Sequence, residues 1–176
     1  MTGRRNYAFD ANMLLSDGVS ATTVAGYAQV GGAQGIIDLG GNQGVTIILP
    51  AIAATSTIKP QQARIDLACV IYISAMTISG SNFYKVYVVG SNDPGLATGN
   101  AILGAGQFGV GTAMDVPNAV SSHAPAGATG VPTGDFYEIL FTNEYNGTPL
   151  EYVSLYVAGT FGSITFQSFA AVLPRI

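Results

Sequence analysis

"RIDLACVIYI", residues 64–73, decides how this chain folds. Read with a period of two, it places Ile65, Leu67, Cys69, Ile71 and Ile73 on one face and Arg64, Asp66, Ala68, Val70 and Tyr72 on the other. Such alternation describes a strand with one face in a core and the other turning apolar toward its end. A helix would need an apolar stripe at 3.6-residue spacing, and almost nothing in the chain supplies one of useful length.

Comparable runs recur on both sides: "YAQV" from Tyr27, "GIIDLG" at 35–40, "VTIIL" at 45–49, "FYKVYVVG" at 83–90, "FYEILFT" at 136–142, "YVSLYVAG" at 152–159 and "SITFQSFAAVL" at 163–173. With residues 64–73 they make roughly eight strands, separated by turn signals. Glycine at 23 positions and proline at 8 supply that punctuation. The expected fold is all-β, a jelly-roll-like β-sandwich, with a closed barrel as the open alternative. Residues 1–18 read as an N-terminal arm with an apolar patch at Met13, Leu14 and Leu15, and residues 19–176 as one sandwich domain. A Gly/Ala-rich stretch, residues 97–132, reads as a long loop without convincing strands.

At 176 residues and 48% hydrophobic composition, the chain can bury one proper core. Only 9% of its residues are charged, against about 25% in an ordinary domain. A surface so poor in charge points to extensive permanent contacts. The basic residues, Arg4, Arg5, Lys59, Arg64, Lys85 and Arg175, are scattered in a chain of net charge -4, so no phosphate-binding stripe forms and no nucleic-acid partner is expected. No apolar run approaches the length of a membrane-spanning helix, and no membrane partner is expected either. The opening "MTGRRNYAFD" lacks the apolar core of a secretion signal, so the chain is expected to be made and used without crossing a membrane. Cys69 stands alone inside an apolar run and reads as a small buried hydrophobe.

The motifs that suggest chemistry have plainer readings. "GAGQFG", residues 104–109, matches GxGxxG, but a dinucleotide site needs that turn to open a helix. The following "VGTAMDVPNAV" contains Gly111 and Pro117 and no apolar helical face, so a flexible glycine-rich loop is expected and no cofactor. His123, the only histidine, lies in "SSHAPAG" beyond any expected strand and reads as an exposed loop residue. One histidine, one distant cysteine and dispersed acids propose no metal site and no catalytic set. Glu138, Glu144 and Glu151 are the closest carboxylates, and Glu138 reads as an outward charge on a strand. Asn146-Gly147 suits a hairpin turn, and "VGSNDPG", residues 89–95, suits an end-of-strand turn.

Several pieces taken in order carry a resemblance: "DANMLLSDG" at 10–18, "GIIDLGG" at 35–41, "YVVGSNDPG" at 87–95, "YEILFTNE" at 137–144, "YVSLYVAG" and "SITFQSFAAVLP". Together they resemble the small capsid cement, or decoration, proteins of tailed bacteriophages. The resemblance spans nearly the whole chain. It implies a jelly-roll sandwich without catalytic residues, assembled as a homotrimer outside an icosahedral head and tying capsomers together. The implied partners are the major capsid protein and further copies of the chain. The implied location is the virion exterior, after synthesis in the host bacterial cytoplasm. Arg4, Arg5, Met13, Leu14, Leu15, Phe108 and Met114 are the expected contact residues, chosen as charged or apolar residues in the arm and long loop. Two other classes compete: a carbohydrate- or receptor-binding sandwich, for which nine Tyr and eight Phe supply material but no Trp does, and a hydrolase or isomerase on the same fold.

Overall fold

The computed structural model describes residues 10–40, 45–49, 54–58, 64–77, 83–109, 120–123, 136–160 and 162–173. A 3-10 turn, Ala11–Met13, leads into β1 (Leu14–Asp17), followed by β2 (Gly26–Tyr27), β3 (Gln29–Val30), β4 (Ala33–Gln34), β5 (Ile36–Asp38), β6 (Val45–Leu49) and β7 (Ala54–Ile58). The long strands come next: β8 (Asp66–Met76), β9 (Phe83–Ser91) and β10 (Ala101–Gly109). After them lie β11 (Val120–His123), β12 (Phe136–Thr142), β13 (Glu144–Tyr145), β14 (Thr148–Pro149), β15 (Tyr152–Thr160) and β16 (Ile164–Val172).

Two sheets face each other. One has the order β1-β16-β8-β12, and the other β11-β10-β9-β15-β2 with β5 also on β15. Alternation sends Leu67, Cys69, Ile71 and Ile73 of β8, Ile139 and Phe141 of β12, and Ile164, Phe166 and Ala170 of β16 inward. They meet Tyr84, Val86 and Val88 of β9, Val153, Leu155 and Val157 of β15, and Phe108 of β10. The all-β sandwich expected from the sequence is the fold observed, and each of the apolar runs contains a strand.

Uncharged groups satisfy several of the buried polar atoms. Asn143, 2% exposed, accepts from the Ile65 N–H at 2.7 Å and donates to the Leu150 carbonyl at 3.3 Å. The Tyr84 hydroxyl lies 3.0 Å from the Thr77 carbonyl and 3.1 Å from that of Ser163, and accepts from the Gly162 N–H. The expected hairpin at Asn146-Gly147 joins β13 to β14, with both central residues at positive φ, 50° and 79°.

Three expectations need correction. The arm does not extend to residue 18: β1 pairs with β16, Leu15 is fully buried, and the Ser16 hydroxyl donates to the Phe166 carbonyl at 2.7 Å. A four-residue strand is too short to show alternation, which is why it read as arm. The long loop contains β10 and β11, and "GAGQFG" lies on β10 rather than in a loop. Its glycines answer a packing demand: a Cβ at Gly104 would sit 2.7 Å from Ile139 Cγ2, and one at Gly106 3.1 Å from Ile139 Cδ1. His123 ends β11, its backbone in register with Gly109 of β10, so it does not lie beyond the strands.

Phe166, 2% exposed at the centre of the first sheet, tests the core. Phe166→Ala is expected to cost about 3–5 kcal/mol, measured by urea denaturation.

Candidate functional site

The outer face of the β1-β16-β8-β12 sheet is the feature a sandwich needs least for its own fold. Pairing builds it in rows. Asp17, Gln167, Tyr72 and Phe136 lie side by side, then Leu14, Phe169, Val70 and Glu138, then Ala171, Ala68 and Leu140. A sheet with one solvated face would carry polar residues at these positions. Here the outward residues are mostly apolar: Ala68, Val70 and Ala171 are buried, while Phe136 is 68% and Leu140 51% exposed.

Leu14, Asp17, Val70, Tyr72, Phe136, Gln167 and Phe169 line a groove of about 230 Å³ on this face. The Tyr72 and Phe136 rings pack with centroids 5.1 Å apart. Asp17 is its charged member, and that charge is engaged: the carboxylate accepts from the Val19 N–H at 2.9 Å and the Gly31 N–H at 2.7 Å. Those two hydrogen bonds, Val19 first, hold the Asp17 carboxyl below the usual range. Gln167 donates to the Asp17 carbonyl at 3.2 Å. The groove therefore offers dispersion contacts and a few hydrogen-bonding groups. Among the described residues no three His, Cys, Asp or Glu side chains are grouped to hold a metal.

The opposite sheet presents a tyrosine row. Tyr156 on β15 is in register with Tyr27 on one side and Tyr87 on the other, and all three are half-buried. Tyr27 and Tyr156 meet edge to face, centroids 5.1 Å apart. The Tyr27 hydroxyl donates to the Leu96 carbonyl at 3.3 Å and accepts from Asn100 at the same distance. Burial, then the neighbouring Tyr156, raises the Tyr27 phenol above its ordinary pKa.

Beside this row lies the loop that follows β9. The expected turn is there, organised around Asp93. One carboxylate oxygen accepts from the Gly95 N–H at 3.1 Å; the other accepts from the Ala97 and Thr98 N–H groups at 3.0 Å and from the Thr98 hydroxyl at 3.2 Å. These bonds, Gly95 first, hold the exposed Asp93 carboxyl below its usual range. They also keep Leu96 buried at a φ of 49°, a conformation branched side chains avoid. Asn92 ties the loop to the rest of the rim, accepting from the Glu151 N–H at 3.0 Å and donating to the Pro149 carbonyl at 3.2 Å. Hydrogen bonds to main chain give this loop a structural role.

The expected contact residues separate. Leu14 lines the groove, and Met13 is half-buried against the core. Leu15 and Phe108, 0% and 1% exposed, point into the core and are unavailable for contacts; Phe108 packs edge-on against Tyr137. Arg4, Arg5 and Met114 lie outside the described residues. Of the carboxylates, Glu138 sits half-buried on the apolar outer face, Glu144 is half-buried and Glu151 is buried. Phe136, Val70, Tyr72 and Phe169 were not singled out from the sequence, although the outward set Ala68, Val70 and Tyr72 was already apolar in residues 64–73. The chain matches no protein-family model, no curated protein and no solved structure.

Two outcomes follow from these environments. Burial pushes the Cys69 thiol up to about 12, against a hydrogen bond with Ser168 at 3.2 Å that acts the other way. Cys69 is therefore expected to resist a thiol reagent in the native protein and to react fully once denaturant is added. The depressed Asp93 carboxyl stabilises the fold fully above its unfolded pKa of about 3.9, and that stabilisation disappears as pH falls through the lower folded value. Hydrogen exchange should show the Ala97 and Thr98 amides protected at pH 5 and losing protection in stronger acid, with Asp93→Ala unprotected at both.

Proposed function

We propose that the chain is a structural decoration protein of a tailed-bacteriophage head, held on the capsid exterior by the outer face of the β1-β16-β8-β12 sheet. The observation that carries this reading is that apolar face, in a chain only 9% charged. Phe136 and Leu140 remain exposed on the outer face of a sheet whose inner face already supplies a core. Covering such a face by a partner removes apolar area from water at roughly 25 cal/mol per Å². The resemblance of the ordered sequence pieces to phage cement proteins agrees with it.

The mechanism is thermodynamic and involves no turnover. Each copy binds the assembled shell and contributes interface free energy, so loss of capsomers is opposed by mass action. Repeated sites on one particle make modest individual affinities sufficient. The partners are the major capsid protein and other copies of the chain, as a homotrimer. The protein is made in the host bacterial cytoplasm and resides on the virion exterior, with no cofactor.

The tyrosine row favours a second reading, a carbohydrate-binding module of a phage particle. Tyr27, Tyr87 and Tyr156 on three adjacent strands could stack against successive sugar rings. A glycan array with saturable binding that Tyr87→Ala abolishes would favour it over the capsid reading.

Quantitative mass spectrometry of purified particles tests the capsid reading through the ratio of this chain to the major capsid protein. A ratio near one, or another simple icosahedral fraction, is expected; a handful of copies per particle rejects it. Phe136→Asp is expected to leave the melting temperature nearly unchanged and to lower particle occupancy roughly tenfold or more, from the burial of one aromatic side chain.

A further inference from the structure

Among the described residues, the β6–β7 hairpin belongs to neither sheet of the sandwich. Among those residues its strands pair with each other, from Val45 opposite Ile58 to Leu49 opposite Ala54, as a two-stranded sheet separate from both main sheets. Among the described residues, no strand of the sandwich packs extensively along it. Residues 41–58 contain no Asp, Glu, Lys or Arg, and β6 reads "VTIIL". A lone two-stranded ribbon is at best marginally stable in water, and one without charge gains little from standing in solvent.

The same chain carries an unfilled edge. β12 pairs with β8 on one side and with no strand on the other among the described residues. Proteins usually blunt such edges by shortness, bulges, lysine or proline. The opposite edge of this sheet is blunted: β1 is four residues long and irregular between Leu14 and Ser16. The outer strands of the second sheet are short as well, β11 four residues, β2 two and β5 three. β12 runs seven residues, "FYEILFT", without lysine or proline, its only charge Glu138. Phe136 and Leu140 flank that charge in the open.

We propose that the β6–β7 hairpin of one copy adds to the β12 edge of a second copy, continuing the four-stranded sheet across the boundary. The occupant is another copy because one chain holds both halves of the contact and, among the described residues, does not join them to each other. Main-chain hydrogen bonds supply the attachment, and the uncharged hairpin lies beside an edge with apolar side chains at Phe136 and Leu140. Donor and acceptor surfaces differ, so the contact is head-to-tail and repeats until a ring closes. The added strands extend the sheet sideways and leave its outer face uncovered. This inference deepens the self-association within the function proposed above and rests on that part alone.

A complementation experiment on the full chain, without particles, tests it. One variant replaces residues 45–58 with a Gly-Ser linker and keeps the β12 edge. The other, Leu140→Lys, keeps the hairpin and places a charge on the edge at a residue 51% exposed, where folding tolerates it. By light scattering the unaltered protein is expected at a multiple of the single-chain mass and each variant as a folded monomer by circular dichroism. An equimolar mixture of the two variants is expected to form a one-to-one complex that grows no further. A monomeric unaltered protein, a Leu140→Lys protein that keeps the parent's oligomeric state, or folded variants that do not combine would each overturn the proposal. Should the linker variant unfold, Leu140→Lys alone decides. None of these readings depends on whether the chain is found on virions, so failure here leaves the capsid reading standing and loss of the capsid reading leaves this contact testable.

Discussion

β8 is apolar on both faces, and the rest of the molecule follows from accommodating it. Its inward residues, Leu67, Cys69, Ile71 and Ile73, are sealed against the second sheet. Its outward residues Ala68 and Val70 are also buried. β16 and β12 flank it and repeat the pattern, with Phe169 and Ala171 on one side and Phe136 and Leu140 on the other. A two-sheet sandwich supplies a cover for the inner face only. The outer face keeps its exposed aromatic and aliphatic side chains, and this imbalance is the physical basis of the function proposed.

The chain manages its interior with few charges. Ser16, Ser154 and Asn143 bond to main chain inside the fold, the Ser154 hydroxyl reaching the Gly35 carbonyl at 2.7 Å. The carboxylates of Asp17 and Asp93 accept from backbone N–H groups, so even these charges serve loop geometry. The ion pair between Arg64 and Asp66, 3.5 Å apart and about half exposed on both sides, adds little. Stability thus depends on packing and neutral hydrogen bonds.

Close approach explains the glycine-rich segment that suggested a nucleotide loop. β10 crosses over β12 at Ile139, and side chains at Gly104 and Gly106 would occupy the space Ile139 fills. The letters of GxGxxG record that proximity and nothing about phosphate. Similarly, Gly159 lies against the Phe83 carbonyl at a φ of 147°, where any Cβ would collide.

The sequence by itself determined the all-β class and the position of the main strands other than β10, because period-two alternation in residues 64–73 and its relatives is a local property of the chain. It determined the hairpin at Asn146-Gly147 for the same reason, since those two residues carry the positive φ angles within their own dipeptide. What only the tertiary structure decided is which apolar residues lie in the core and which are left outside. Leu15 and Phe108 looked available and are sealed, because β1 and β10 owe their strand conformation to pairing with β16 and β9. Phe136 and Leu140 share a strand with the core residues Ile139 and Phe141 yet face outward, because the second sheet covers one side of β12 and leaves the other uncovered.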